Sequence, residues 1–357
     1  MRPTSKLRTL TSRKRKKHCA RLQAAFSVVE ILCVIAIIGT LVGLFLPAVQ
    51  RVREAARNLS CRNNLRQQAI GCLAYESAFE RLPTGSKCAE YGLLTFDDSQ
   101  VAAYVDGTGF QNYATFQNTS WRGYLLPFVD LDNISESLPR YCTQGQQTYS
   151  DIRISNPSLP IWIGDVADVR LAGLRHVPTF VCPSDPGGYG PITMVATQPF
   201  DYQPDPASAA TRWLLFASIK SELSATNYDG NSGAYPAESA NFFVGPFSSH
   251  KSARLSEILD GMSNSIMIGE IVGSATKDNR RRASWLFGGL MTFTSSPSLP
   301  AIGTPARSYL NAFASSHPTS ANVAYCDGAV RCIPRTIEKR SLVNLAGISD
   351  HELASPD

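Results

Sequence analysis

Residues 24–49 read AAFSVVEILCVIAIIGTLVGLFLPAV, and from Phe26 to Leu46 the one charged residue is Glu30. Those 21 residues make a helix of about 31 Å, enough to span the hydrocarbon core of a bilayer. A carboxylate in such a segment costs about 2.5–3.5 kcal/mol at the helix centre and less toward an end. A segment serving only as an anchor would carry Leu or Val there. The preceding residues are one-sided in charge. Residues 1–25 hold nine Lys/Arg (Arg2, Lys6, Arg8, Arg13, Lys14, Arg15, Lys16, Lys17, Arg21) and no Asp or Glu. Removing them from the chain's 34 basic and 29 acidic residues leaves 25 against 29, so the formal +5 belongs to the leader and the rest is mildly acidic. Nucleic-acid binding calls for a basic folded domain, and no such partner is expected.

Three devices share the order basic leader, then apolar run. A cleaved secretory signal needs a small-x-small site after the run, and GLFLPAVQ puts Leu46 three residues before a cut at Ala48. An uncleaved anchor fits the length. Cleavage before the apolar run also accounts for the glutamate. Ala25, Phe26, Ser27, Val28, Val29 and Glu30 resemble the type IV prepilin signal. In that family a dedicated prepilin peptidase cuts after a small residue, usually Gly and here Ala25, and methylates the new N-terminal residue, usually Phe and here Phe26. The resemblance places Glu30 at mature position 5 and Pro47 at position 22, where pilin helices commonly carry a proline. It implies that Glu30 neutralises the new amine of an adjacent pilin-like subunit, since buried charges persist when paired. Snorkelling of Glu30 to the headgroups is the plain alternative. Lys and Arg flank the run on both sides, so charge alone orients it weakly. The leader resemblance implies N-terminus inside, a single pass through the cytoplasmic (inner) membrane, and the bulk of the chain on the periplasmic side.

Past Pro47 the pattern remains helical. Val52, Ala56, Leu59, Asn63, Arg66, Ile70 and Leu73 recur at steps of four and three, one stripe of a helix. Packing of this stripe on the protein's own sheet is expected, with coiled-coil pairing as the alternative. The helix should end between Glu76 and Arg81, before Pro83 and Gly85. The organisation expected is a leader over 1–25, a pilin-like helix over 26–79 whose part 26–46 is in the membrane, and an extracytoplasmic domain over 80–357. That domain has no repeat, long linker or charge block. Its short apolar runs TFVCP, ANFFVGPF, SIMIGEIVG and NVAYCDGAVRCI have strand length. The fold class expected is α+β, a long N-terminal helix packed on a mainly antiparallel sheet, with 80–120 and 140–170 rich in loops.

Signatures of catalysis or metal binding are weak. The nine cysteines include no C-x-x-C pair, against a zinc ribbon or thioredoxin-like site. One to three disulfides outside the cytoplasm and buried free thiols are equally open. No two of the five histidines stand at i, i+4, the spacing of a helical metal site. DGNSGA around Ser232 lacks the G-x-S-x-G elbow and reads as a turn. Asp130, Asp132, Asn133 and Glu136 could surround calcium, but Ile134 and Ser135 fall where an EF-hand needs an oxygen ligand and Gly. CPSDP, with Cys182 and Asp185, reads as a tight turn. The expectation is no enzyme, no catalytic residue, no cofactor and no metal.

A second resemblance runs along nearly the whole chain. SSHPTSANVAYCDGAV carries His317, nine residues, then Asp327-Gly328. It is similar to the H-X9-DG motif of the DUF1559 family, bacterial proteins with prepilin-type N-termini. SWRGYLLPFVD (120–130), PTFVCPSDP (178–186), SATNYDGNSG (224–233) and EILDGMSNSIMIGE (257–270) support it. The resemblance implies a pseudopilin-like, membrane-anchored protein of a type II secretion or type IV pilus-like system, with an anchored binding or sensor module as the other class. It supplies no activity. Asp327-Gly328 itself is expected to form a two-residue type I′ turn, pairing Tyr325 with Val330 and Val323 with Cys332. That register puts Ala324 and Cys326 on a face that tolerates solvent, away from Cys332. His317 is left as a loop-pinning hydrogen bond or as part of a ligand or metal site.

Overall fold

The structure, a computed structural model, describes residues 28–85, 120–143, 166–185, 192–202, 211–221, 223–234, 243–247, 253–272, 274–276, 279–282, 284–286, 291–293 and 313–348. The leader, with Ala25 and Phe26, and most of the expected loop-rich stretches lie outside them. The chain divides into two compact units, Met1–Val52 and Arg53–Asp357.

Helix α1, Val28–Phe79, is a single 52-residue helix that runs through Pro47 and carries Glu30 in its first turn. It ends where Pro83 and Gly85 predict. In the first unit every described side chain is exposed, among them Val28, Ile31, Ile35, Leu41 and Phe45. The helix is long and apolar enough to cross a membrane, which fits single-pass anchoring.

The second unit is built of short helices and two sheets. In chain order these are α2 Trp121–Leu125, α3 Asp132–Ser135, α4 Arg140–Thr143, α5 Ala167–Leu174, β1 Ile192–Tyr202, β2 Thr211–Ser221, β3 Tyr228–Ala234, β4 Phe243–Val244, β5 Ile266–Glu270, β6 Ser274–Thr276, β7 Asn279–Arg282, β8 Met291–Phe293, β9 Ser320–Tyr325, β10 Val330–Pro334 and α6 Lys339–Ala346. One sheet has the order β10-β9-β5-β3-β4, with β8 beside β3; the other has the order β2-β1-β7-β6. Only β1–β7 and β3–β8 are parallel among the described pairs. The fold is α+β with mainly antiparallel sheets, as the sequence predicts.

Strands β5 and β9 lie at the centre of the larger sheet. On one side Met267, Ile268, Ala324 and Cys326 join Cys61, Leu65, Ala69, Cys72 and Tyr75 of α1 in one core. On the other, Ile266, Ala321, Val323, Tyr325 and Ile333 pack with Phe313 and with Leu342 and Leu345 of α6. Alternate side chains of a strand point to opposite faces, so β9 is buried on both.

Four expectations are corrected. The buried stripe of α1 is Cys61, Leu65, Gln68, Cys72 and Tyr75. Of the stripe expected, Val52, Leu59 and Ile70 are 69%, 57% and 52% exposed. The helix turns toward the sheet the face whose polar groups find partners there. TFVCP is no strand: Pro178–Phe180 forms a 3-10 turn. Ser232 is in no polar loop; it is buried within β3. The 327–328 hairpin is one residue longer than expected. Val330 faces Ala324 and Arg331 faces Val323, and Tyr325 N–H donates to Ala329 O at 2.9 Å. Gly328 alone takes a positive φ, +82°, whereas type I′ needs two. The loop is the three-residue kind, with glycine at the left-handed position. Ala324 and Cys326 pack against α1, away from solvent, and the slip brings Val330 and Cys332, opposite Ala324 and Asn322, to that same face rather than the other.

Candidate functional site

α1 delivers a second set of side chains at helical spacing: Glu54, Asn58, Cys61, Asn64 and Gln68. They meet the family-like segments of the second unit. Gln68 donates to Thr179 O at 2.8 Å and Asn64 to Val181 O at 3.0 Å. Cys61 is bonded to Cys182, with Cα atoms 5.2 Å apart and a sequence separation of 121. The backbone N–H of Cys182 is fixed by Asn227 Oδ1 at 3.0 Å, and Asn227 Nδ2 donates to Asp185 Oδ2 at 2.5 Å. The expected turn at CPSDP is present, closed by Asp185 N–H on Cys182 O.

His317 sits on this disulfide. It is 1% exposed, entering β9 from a segment that Arg335 holds by two bonds, to Ser315 O and His317 O, each 2.6 Å. Its Nδ1 lies 2.7 Å from Glu54 Oε1, which also accepts from Ser184 Oγ at 3.0 Å. A carboxylate only accepts, so the Nδ1 proton belongs to that bond. Nε2 faces Glu270 Oε1 at 3.5 Å and Cys182 Sγ at 3.7 Å. Glu270, the last residue of β5, is buried and held from β9: Asn322 N–H donates to Oε2 and Asn322 Nδ2 to Oε1, both at 2.9 Å. Asn322 Nδ2 also reaches Asn58 of α1 at 3.1 Å. Burial alone disfavours a charged imidazole. The hydrogen bond and charge of Glu270, then those of Glu54, outweigh it, and the His317 pKa lies above its ordinary value.

Among the described residues, Cys61, Cys182, Glu270 and His317 form the group of potential metal donors, with one ligand atom from each lying within 4.8 Å of the others. Asp130, Asp132 and Glu136 are outside it. α3 takes up Asp132–Ser135 as a helical turn.

A second buried polar centre lies beside α2. Arg122 Nη2 is 2.9 Å from Asp229 Oδ1, both side chains fully buried, and also donates to Tyr228 O. Asp229 Oδ1 further accepts from Trp121 Nε1 at 3.3 Å and Gly230 N–H at 2.9 Å. Burial pushes Asp229 up to about 6; Arg122, Trp121 and Gly230 hold it from going higher.

Of the residues singled out in the sequence, His317 falls in the first centre. Asp327 and Gly328 do not. Asp327 is exposed at the hairpin tip, with Oδ1 accepting from Ala329 N–H at 2.8 Å, and the Asp-Gly half of the motif is accounted for by the turn. Sequence reasoning gave no role to Glu54, Asn58, Cys61, Asn227, Glu270 or Asn322. The legible signal was Glu54, Asn58, Cys61 and Gln68 in one helical stripe, hydrophilic groups placed where a core was to be built.

The segments quoted from the sequence thus converge: Trp121 and Arg122, Cys182 and Asp185, Asn227 to Asp229, Glu270, and His317 all contribute to the two centres. The family model for "Protein of unknown function (DUF1559)" matches residues 50–340. No curated protein and no solved structure matches the chain. The family match takes in well over half of the sequence and every one of those segments, and the chain belongs to the DUF1559 family.

Proposed function

We propose that the protein is a membrane-anchored, pseudopilin-like subunit, a structural or assembly component of a type II secretion or type IV pilus-like system. On this reading prepilin peptidase cuts between Ala25 and Phe26 on the cytoplasmic face, Phe26 is N-methylated, and Glu30 pairs with the amine of a neighbouring pilin-like subunit. The supporting observation is α1: one unbroken helix, Val28–Phe79, apolar and exposed in its first half and a wall of the core in its second. The Cys61–Cys182 disulfide supports placing the domain outside the cytoplasm, where such bonds persist. Intact mass of the membrane-extracted protein, from cells with an active prepilin peptidase, tests the reading. The expected mass lacks residues 1–25 and carries one added methyl group. A chain retaining the leader overturns it.

A further inference from the structure

We propose that Cys61, Cys182, Glu270 and His317 form a four-coordinate zinc site when the Cys61–Cys182 bond is reduced, so that disulfide and metal are alternative occupants of one buried position. Such a site does not depend on how the chain is anchored.

With the Nδ1 proton committed to Glu54, neutral His317 turns the lone pair of Nε2 toward Glu270 Oε1 and Cys182 Sγ. Lone pair facing carboxylate is repulsive unless a cation sits between them. A proton on Nε2 is one such cation, held by a long contact of 3.5 Å to oxygen and one of 3.7 Å to sulfur. The same separations are close to the edges of a metal polyhedron, so a metal ion can take the proton's place. With Zn–N and Zn–O of about 2.0 Å and Zn–S of about 2.3 Å, a tetrahedron has N···O edges of about 3.3 Å and N···S edges of about 3.5 Å. The S···S edge, about 3.8 Å on the same bond lengths, is the one that the disulfide forbids.

The surroundings are those of a metal centre. A ligating histidine commonly gives its other ring N–H to a carboxylate, and a ligating carboxylate is itself hydrogen-bonded. Glu54 supplies the first, at 2.7 Å, and Asn322 the second, through two bonds of 2.9 Å. The backbone of Cys182 is pinned by Asn227. Two thiolates, an imidazole and a carboxylate suit zinc and are wrong for calcium or magnesium. Glu54, with its side chain 30% exposed, marks the side open to an entering ion. The other described buried thiols, Cys72, Cys142 and Cys326, are outside this donor group.

The conversion balances. A dithiol reductant gives two electrons and two protons to the Cys61–Cys182 bond and closes to its own disulfide. Zn²⁺ then displaces the two thiol protons and binds both sulfurs, so the net release is two protons per ion bound. In the reverse, a disulfide oxidant takes two electrons from the two thiolates and two protons from solvent to become a dithiol, the Cys61–Cys182 bond closes, and the ion is released.

The test uses the full chain in detergent. One portion is reduced with a trialkylphosphine, which leaves as its oxide with oxygen from water; the other stays oxidised. Both are freed of reagent and titrated with Zn²⁺, and separately with Co²⁺ as a spectroscopic stand-in. The expected result is one tightly bound ion per reduced chain and none per oxidised chain. The cobalt form should show tetrahedral d–d absorption and a thiolate-to-cobalt charge-transfer band. Glu54→Gln, at a partly exposed position, should weaken binding by about 10–100-fold while keeping the tetrahedral spectrum. A reduced chain with titratable thiols that takes up no stoichiometric ion overturns the proposal. So does a six-coordinate cobalt spectrum without a thiolate band, or undiminished binding in His317→Ala. The wild-type cobalt spectrum decides between these outcomes whether or not a variant folds.

Discussion

Gly328 and the Arg122–Asp229 pair show what single residues must supply. At φ +82° a side chain at 328 is strained whatever the space around it, at about 1–2 kcal/mol for an ordinary residue and more for a β-branched one. The space is also short, since a Cβ there would come within 3.1 Å of Leu73 Cδ1. Gly328→Val should lower unfolding stability by about 2–3 kcal/mol, seen as a shift in denaturant midpoint, and Gly328→Asn should lower it less. Arg122 is a different case. Its side-chain hydrogen bonds leave from Nη2, and among the described residues Nε and Nη1 have no hydrogen-bond partner. Removing the carboxylate strands a buried guanidinium. Asp229→Ala is expected to cost about 3–5 kcal/mol, whereas replacing both residues by apolar ones of similar volume should recover most of it. The pH sign follows from Asp229 rising from 3.8 to about 6 on folding. Its contribution is present below the unfolded value and is lost as pH rises through the folded one. Asp229→Asn should flatten the stability profile between those values in denaturant unfolding at stepped pH.

At the scale of the element, α1 explains what the sequence could and could not convey. Its length and end were legible, because twenty-odd apolar residues, a continuing helical period and the Pro83/Gly85 stop are local signals. Which face turns inward was not. Hydrophobicity selected Val52, Leu59 and Ile70, but those are exposed. The inward stripe carries Glu54, Asn58, Asn64 and Gln68, whose burial is favourable only because acceptors and donors wait on segments more than a hundred residues away. That compensation has no local signature. The hairpin failed by one residue for a related reason, since Asp-Gly serves both two- and three-residue loops and the flanking register decides. The site was half legible: His317 stood out by resemblance, while Glu54, Glu270 and the two cysteines become a cluster only when α1, β5, the segment entering β9 and the turn at Cys182–Asp185 are brought together. The two faces of α1 predict opposite responses to one chemical change. Leu65→Ala, at a fully buried position, should cost about 2–5 kcal/mol. Leu59→Ala, on the exposed face, should stay within about 0.5 kcal/mol. Denaturant unfolding of both variants in detergent checks the pair, and equal losses would mean that the helix is turned otherwise.

For the whole molecule, the two units make different demands on one helix. The domain uses α1 as a wall and clamps it by a disulfide that closes a long loop, worth about 4–5 kcal/mol on the chain-entropy account. The first unit is an apolar rod whose apolar side chains have no partner surface within the described chain, and a bilayer or other subunits are what would cover it. Glu30 separates those two roles. If the rod only anchors, Glu30→Leu makes it a better rod, because an apolar residue replaces one that costs free energy in hydrocarbon. If the rod also assembles, the same change removes the counter-charge of a neighbour's amine, and an uncompensated buried charge opposes association. The expected outcome is therefore a split. Membrane insertion of Glu30→Leu, read by resistance to alkaline extraction, should be intact, while cross-linked multimers through residues 26–50 should fall well below the wild-type yield. Restoring the charge with Glu30→Asp should recover part of the cross-linking, since the shorter carboxylate still offers a partner. Equal multimer yields in all three proteins would remove the pairing role and leave the helix as an anchor alone.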